Sequence, residues 1–117
     1  MNSYIAVALG GAIGATLRFA VSEWIGNPQG TLAVNAVGSL LLGVCMAALA
    51  SEMISKELTL LLGTGILGAF TTMSTFSVET IEMWSDDSSK AIGYVLLTMF
   101  LCPLLALAGW KAFEATA

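Results

Sequence analysis

The sequence predicts an all-α integral membrane protein with four transmembrane helices, the third broken near mid-membrane. Three observations carry that expectation. Of 117 residues, 57% are hydrophobic and only 10% charged, against roughly a quarter charged in soluble domains, so a water-soluble fold would have to expose most of this apolar area. The apolar residues form four stretches, each near the ~20 residues a helix needs to cross a bilayer core of about 30 Å. Finally, five hydroxyl residues crowd seven positions of the third stretch, Thr71 to Ser77. Residues 1–117 read as one transmembrane domain.

The first span runs from Ser3 to Ile25 and contains Arg18 and Glu23. Its Arg follows the apolar run instead of preceding it, which is the wrong order for a cleaved signal peptide. The second, Thr31 to Ala50, is uncharged; the third, Leu58 to about Trp84, is uncharged until Glu79; the fourth, Ala91 to Trp110, is again uncharged. Short polar links join them: Gly26–Gln29, Ser51–Glu57 and Ser85–Lys90. Trp24, Trp84 and Trp110 fall at span ends, where aromatic belts meet the membrane interface. Gly10 and Gly14 form a GxxxG step suited to close helix packing.

Several function classes drop out. Four unclustered basic residues leave no electrostatic footprint for nucleic acid. Cys45 and Cys102 are isolated in apolar runs and His is missing, so neither a disulfide framework nor a zinc site follows. No nucleophile, base and orienter can be assembled into an enzyme site.

With four spans, Lys56 and Lys111 lie on one side of the membrane and Arg18 and Lys90 on the other. Positive-inside counting is therefore balanced. Either the chain inserts both ways and pairs with an oppositely oriented copy, or Arg18 is buried and does not count. Four helices are too few to enclose a polar path and also bury their own polar residues, so an oligomer is expected.

Polar groups inside a span are costly and usually functional. Arg18 reads as a snorkelling side chain or as an anion-attracting group at a pathway mouth. Asn35 reads as interhelical glue or as a donor facing an anion path. The segment Gly68 to Ser77 reads as a helix break, because hydroxyls divert backbone hydrogen bonds. Non-helical backbone at membrane depth persists only where it is buried in protein or lines a cavity. Glu79 and Glu82 default to the wet end of the third span.

Three stretches in order, GGAIGATLR (Gly10–Arg18), GTLAVNAVGSLLLG (Gly30–Gly43) and GAFTTMSTFSVE (Gly68–Glu79), resemble the Fluc (CrcB) fluoride channels over essentially the whole chain. The resemblance implies a fluoride-selective passive channel of the cell (inner) membrane, built as an antiparallel, dual-topology homodimer with two pores at the subunit interface. It further implies a structural Na⁺ at the dimer interface, held by backbone carbonyls of Gly68 and Thr71. Carried over by motif, the pore residues would be Arg18, Asn35, Ser74, Thr75, Phe76 and Glu79; Tyr94 would correspond to a fourth-helix tyrosine of the family without a motif to fix its register, and Thr98 or Cys102 would face the pore from that helix. Where the family motif has its first phenylalanine, this chain has Met73, a flexible thioether without an aromatic edge. Export would be driven by membrane potential after HF enters cells in acid surroundings. The competing reading is a small-multidrug-type proton-coupled exporter. That chemistry needs a carboxylate near the middle of the first span, where this chain has Arg18.

Overall fold

A computed structural model describes residues 2–116. The helices are α1 (Ser3–Ile25), α2 (Gln29–Ala50), α3 (Lys56–Thr59), a π-helical stretch (Leu60–Leu67), α4 (Gly68–Phe70), α5 (Met73–Asp86) and α6 (Ser88–Thr116). The segments from Lys56 to Asp86 act as one interrupted span, and with α1, α2 and α6 they make four helices long and apolar enough to cross a membrane. Among the described residues there is no strand.

The first span has the expected limits. The others run longer than hydropathy alone suggests: α2 starts behind Pro28 with no side-chain cap, while polar residues cap the third and fourth into the links. The Asn2 side chain accepts the Tyr4 N–H at 2.8 Å, and Ser55 Oγ accepts the Leu58 N–H at 3.0 Å. Asp87 Oδ1 accepts the Ser89 and Lys90 amides at 3.0 and 3.3 Å. Each satisfies a donor that a helix start leaves orphaned. The Ser85–Lys90 link thereby shrinks to Asp87 as its one non-helical residue.

Packing is set by small residues, since apolar burial does not drive helix association inside lipid. α1 lies against the π-helical stretch, and α2 makes its most extensive contact with α6. A Cβ on Gly10 would stand 2.8 Å from Gly65 Cα, and one on Gly14 would overlap the Ile66 carbonyl. The GxxxG step thus seats α1 directly on the backbone of the interrupted span. That span loosens where Gly63 and Gly65 fall, adopting the wider π geometry, which is rare and clusters at functional sites.

The chain measures 47 × 31 × 20 Å. Its short axis is about two helix diameters, so the bundle is a slab. Its surface carries exposed apolar side chains such as Ile81, Phe100 and Leu104.

Candidate functional site

The break falls at Thr71–Thr72, whose backbones are extended (φ −82°, ψ 159° and φ −152°, ψ 122°). Its hydrogen bonds account for why an interruption survives in lipid. In a continuous helix the Thr72 N–H would close onto the Gly68 carbonyl; here it donates to Asn35 Oδ1 at 2.8 Å. Asn35 Nδ2 in turn donates to the Thr72 carbonyl at 3.1 Å. One side-chain amide on α2 therefore splints both backbone groups of Thr72. The Ala69 carbonyl, which would have received the Met73 N–H, accepts Arg18 Nε at 3.0 Å. The Thr75 N–H turns to Thr72 Oγ1 at 3.3 Å, an N-cap that starts α5. Gly38 makes room for this corner: a Cβ there would overlap the Thr71 methyl.

Each residue singled out in the sequence can now be located. Arg18 is half-buried and tied to Ala69, so it neither snorkels freely nor stands clear at a mouth. Asn35 is 9% exposed and committed to the break. Glu79 departs from its expected place at the wet end. It is 8% exposed and accepts from Thr31 Oγ1 at 2.9 Å and from the Tyr94 hydroxyl at 2.8 Å. The two donors, from α2 and α6, supply the polar shell that a carboxyl group inside the bundle requires. Glu82, one turn later, is exposed as expected. Tyr94 also packs its ring on Phe76, with centroids 5.0 Å apart and planes at 58°, one of the tilted arrangements aromatic quadrupoles favour. Phe76 is buried, whereas Met73 is 65% exposed.

Ser74 and Thr75 sit in the first turn of α5. Thr72 Oγ1 donates to Thr75 Oγ1 at 3.2 Å, so the Thr75 hydroxyl keeps its own hydrogen. With the Thr72 hydrogen spent there, Ser74 Oγ is the donor to Thr72 Oγ1, at 3.4 Å. Likewise, Ser77 and Thr80 spend their hydrogens on the Met73 and Phe76 carbonyls, both at 2.8 Å. Of the hydroxyls on α5 up to Thr80, Thr75 is thus the one left to donate outward.

Three cavities follow one another along this face. A cavity of about 590 Å³ lies at the outer end, lined among others by Ser74, Thr75, Glu79, Glu82 and Asp86. Thr75 is shared with a narrow one of about 110 Å³ beside Arg18, Thr31 and Thr72. Thr72 is shared in turn with a groove of about 370 Å³ lined by Asn35, Met73, Phe76, Thr98 and Cys102. Both fourth-helix candidates, Thr98 and Cys102, therefore face the same groove. Thr98 is the buried one, and its hydroxyl has no hydrogen-bond partner among the described residues.

Gly68 opens α4, and Thr71 stands at the break itself. The residue overlooked in the sequence is Thr31, one half of the pair that holds Glu79. It stands one turn before Asn35 on the same helical face, a spacing that could have revealed it.

Residues 5–110 match the family model described as CrcB-like protein, Camphor Resistance (CrcB). A protein of Thermotoga petrophila named fluoride-specific ion channel FluC is 43% identical over 104 residues, covering 82% of each chain. One of Oceanobacillus iheyensis with the same name is 45% identical over 109 residues, covering 86% of this chain and 83% of that one. Another, of Thermus thermophilus, is 39% identical and covers 95% of this chain and 93% of that one. With the multi-pass helical architecture, the broken span and these matches together, the chain belongs to the CrcB family.

Proposed function

We propose that this protein is a passive, fluoride-selective channel of the cell membrane. The observation that carries the reading is the uncommitted hydroxyl donor of Thr75, at the first turn of α5 where two of the three cavities meet. Fluoride is small and strongly hydrated, so a pore must replace its water with donors. Hydroxyls and the tilted edge of Phe76 do this without a fixed charge that would trap the ion, and conduction needs binding weak enough to release. Relatives named fluoride-specific ion channels support the same conclusion. The activity is transport, with no chemical step. A proton-coupled exporter would need a carboxylate within α1, and the one acid of α1, Glu23, is exposed near its end.

The working unit in this reading is an antiparallel homodimer. Support comes from the 20 Å slab, too thin to enclose a path, and from exposed Ser74 on a helix starting inside the membrane. Lipid offers such a group no partner. A second, inverted copy would cover the groove and complete two pores.

A structural Na⁺ fits the break. The two amides that would close onto the Gly68 and Thr71 carbonyls are diverted, to Asn35 and to the Thr72 hydroxyl. Carbonyl oxygens released in this way are hard donors of the type that coordinate alkali cations. An inverted partner would bring a second pair. When bound, the ion would supply central positive charge and tie the two copies together.

The test is fluoride efflux from liposomes carrying purified protein, read with a fluoride electrode and a K⁺ ionophore, with chloride as control. Fluoride loss without chloride loss is expected. Silence from folded protein, persisting after Met73→Phe, would refute the channel.

A further inference from the structure

Sulfur is concentrated in one place, a groove that also belongs to the proposed fluoride path. The groove of about 370 Å³ beside the break is lined by Met73 from α5 and by Met99 and Cys102 from α6. Met99 and Cys102 are three residues apart, hence neighbours on one helical face. Met73 lines the same groove from α5.

Among the described residues, two oxygen acceptors without a partner lie on α6 in the same stretch. Thr98 Oγ1 lines the same groove, is 7% exposed, and has no partner among the described residues. Pro103 sits inside α6 and has no N–H, so the Met99 carbonyl four residues earlier lacks its helical donor. No carboxylate lines the groove and the chain has no His, which leaves a thiol and two thioethers as the ligand set. Thiolate and thioether ligands select soft metals such as Cu(I), not magnesium, calcium or zinc.

We propose that this groove binds a soft monovalent d¹⁰ cation, Ag⁺ or Cu⁺, through Cys102 Sγ with the thioethers of Met99 and Met73. Binding replaces the thiol hydrogen: Cys102–SH and M⁺ give Cys102–S–M and H⁺, the proton passing to the buffer. No oxidant or reductant takes part. The other cysteine is unsuited, because Cys45 is buried between α2 and the π-helical stretch, with its sulfur 3.6 Å from the Cβ position of Gly63.

The experiment loads purified full-length protein in detergent with Ag⁺, removes excess by desalting, and counts bound silver by mass spectrometry against protein. One silver per chain is expected for the wild type and for Cys45→Ser, and loss of retained silver for Cys102→Ser. Met73→Leu and Met99→Leu keep shape and apolarity while removing one sulfur each, so they serve even if Cys102→Ser fails to fold. Both are expected to release silver to a thioether competitor at lower concentration than the wild type. Undiminished retention in both, or in folded Cys102→Ser, overturns the site. So does loss in Cys45→Ser. None of these readouts depends on fluoride conduction.

Discussion

Asn35→Ala is the sharpest perturbation of the break. It removes the donor to the Thr72 carbonyl (3.1 Å) and the acceptor of the Thr72 N–H (2.8 Å). An intramolecular hydrogen bond contributes about 1 kcal/mol net, and orphaning a buried partner costs about 1–3 kcal/mol. Interhelical bonds in membranes average nearer 0.6 kcal/mol, with a maximum of about 1.7. Two bonds lost together, both at one residue of extended backbone, place the expected destabilisation at about 2–4 kcal/mol. Ser39→Ala provides the control on the same helix, since Ser39 is half-buried and forms none of the bonds that hold the break; its effect should stay within about 0.5 kcal/mol. Unfolding in mixed dodecylmaltoside–SDS micelles at fixed protein concentration gives the difference, and hydrogen exchange of the Thr72 amide gives the local effect. If Asn35→Ala unfolds within about 0.5 kcal/mol of wild type with Thr72 protection unchanged, the splint is wrong and the break is held by something else.

Other consequences can be checked alongside. Gly14→Ala forces a Cβ onto the Ile66 carbonyl and should destabilise by about 1–3 kcal/mol. Gly11→Ala, with nothing within 4 Å, should be neutral or stabilising by up to about 1 kcal/mol, and the same unfolding titration compares the two. Thr75→Val keeps the N-cap, which uses the Thr72 hydroxyl and the Thr75 amide, but deletes an outward donor. Fluoride efflux should fall about tenfold or more, equivalent to about 1.4 kcal/mol, with unfolding little changed; unchanged efflux would remove Thr75 from the path. Tyr94→Phe strips one of two donors from Glu79 and should destabilise by about 1–3 kcal/mol, more than Thr98→Val, whose hydroxyl has no partner among the described residues. Replacing Na⁺ by N-methylglucamine throughout purification should lower the thermal midpoint, whereas a midpoint independent of Na⁺ would argue against the carbonyl site.

Much of the architecture was legible along the chain because lipid imposes a one-dimensional rule. A spanning segment must be apolar over about 20 residues, so composition and spacing alone place four helices and their order. The break was also legible in outline, since Thr71, Thr72, Ser74, Thr75 and Ser77 cannot all be ordinary packing residues in one short stretch. Its position within that stretch was not. Hydroxyls on either side bond back to their own helix, as Ser77 and Thr80 do, and only the Asn35 amide, 37 residues away, selects Thr72 as the interruption.

Arg18 and Glu79 mark the boundary of sequence reasoning. Residue type and distance from a span end suggested interfacial positions for both, and both turn inward. The Ala69 carbonyl that receives Arg18 is free only because the helix breaks, and Thr31 and Tyr94 reach Glu79 from helices 48 and 15 residues away in sequence. The sequence by itself therefore determined which segments enter the membrane and which stretch would not stay helical, because both depend on local polarity. Tertiary structure alone decided which polar group satisfies which, because a buried donor or acceptor must find a partner and that partner is chosen by how the helices cross.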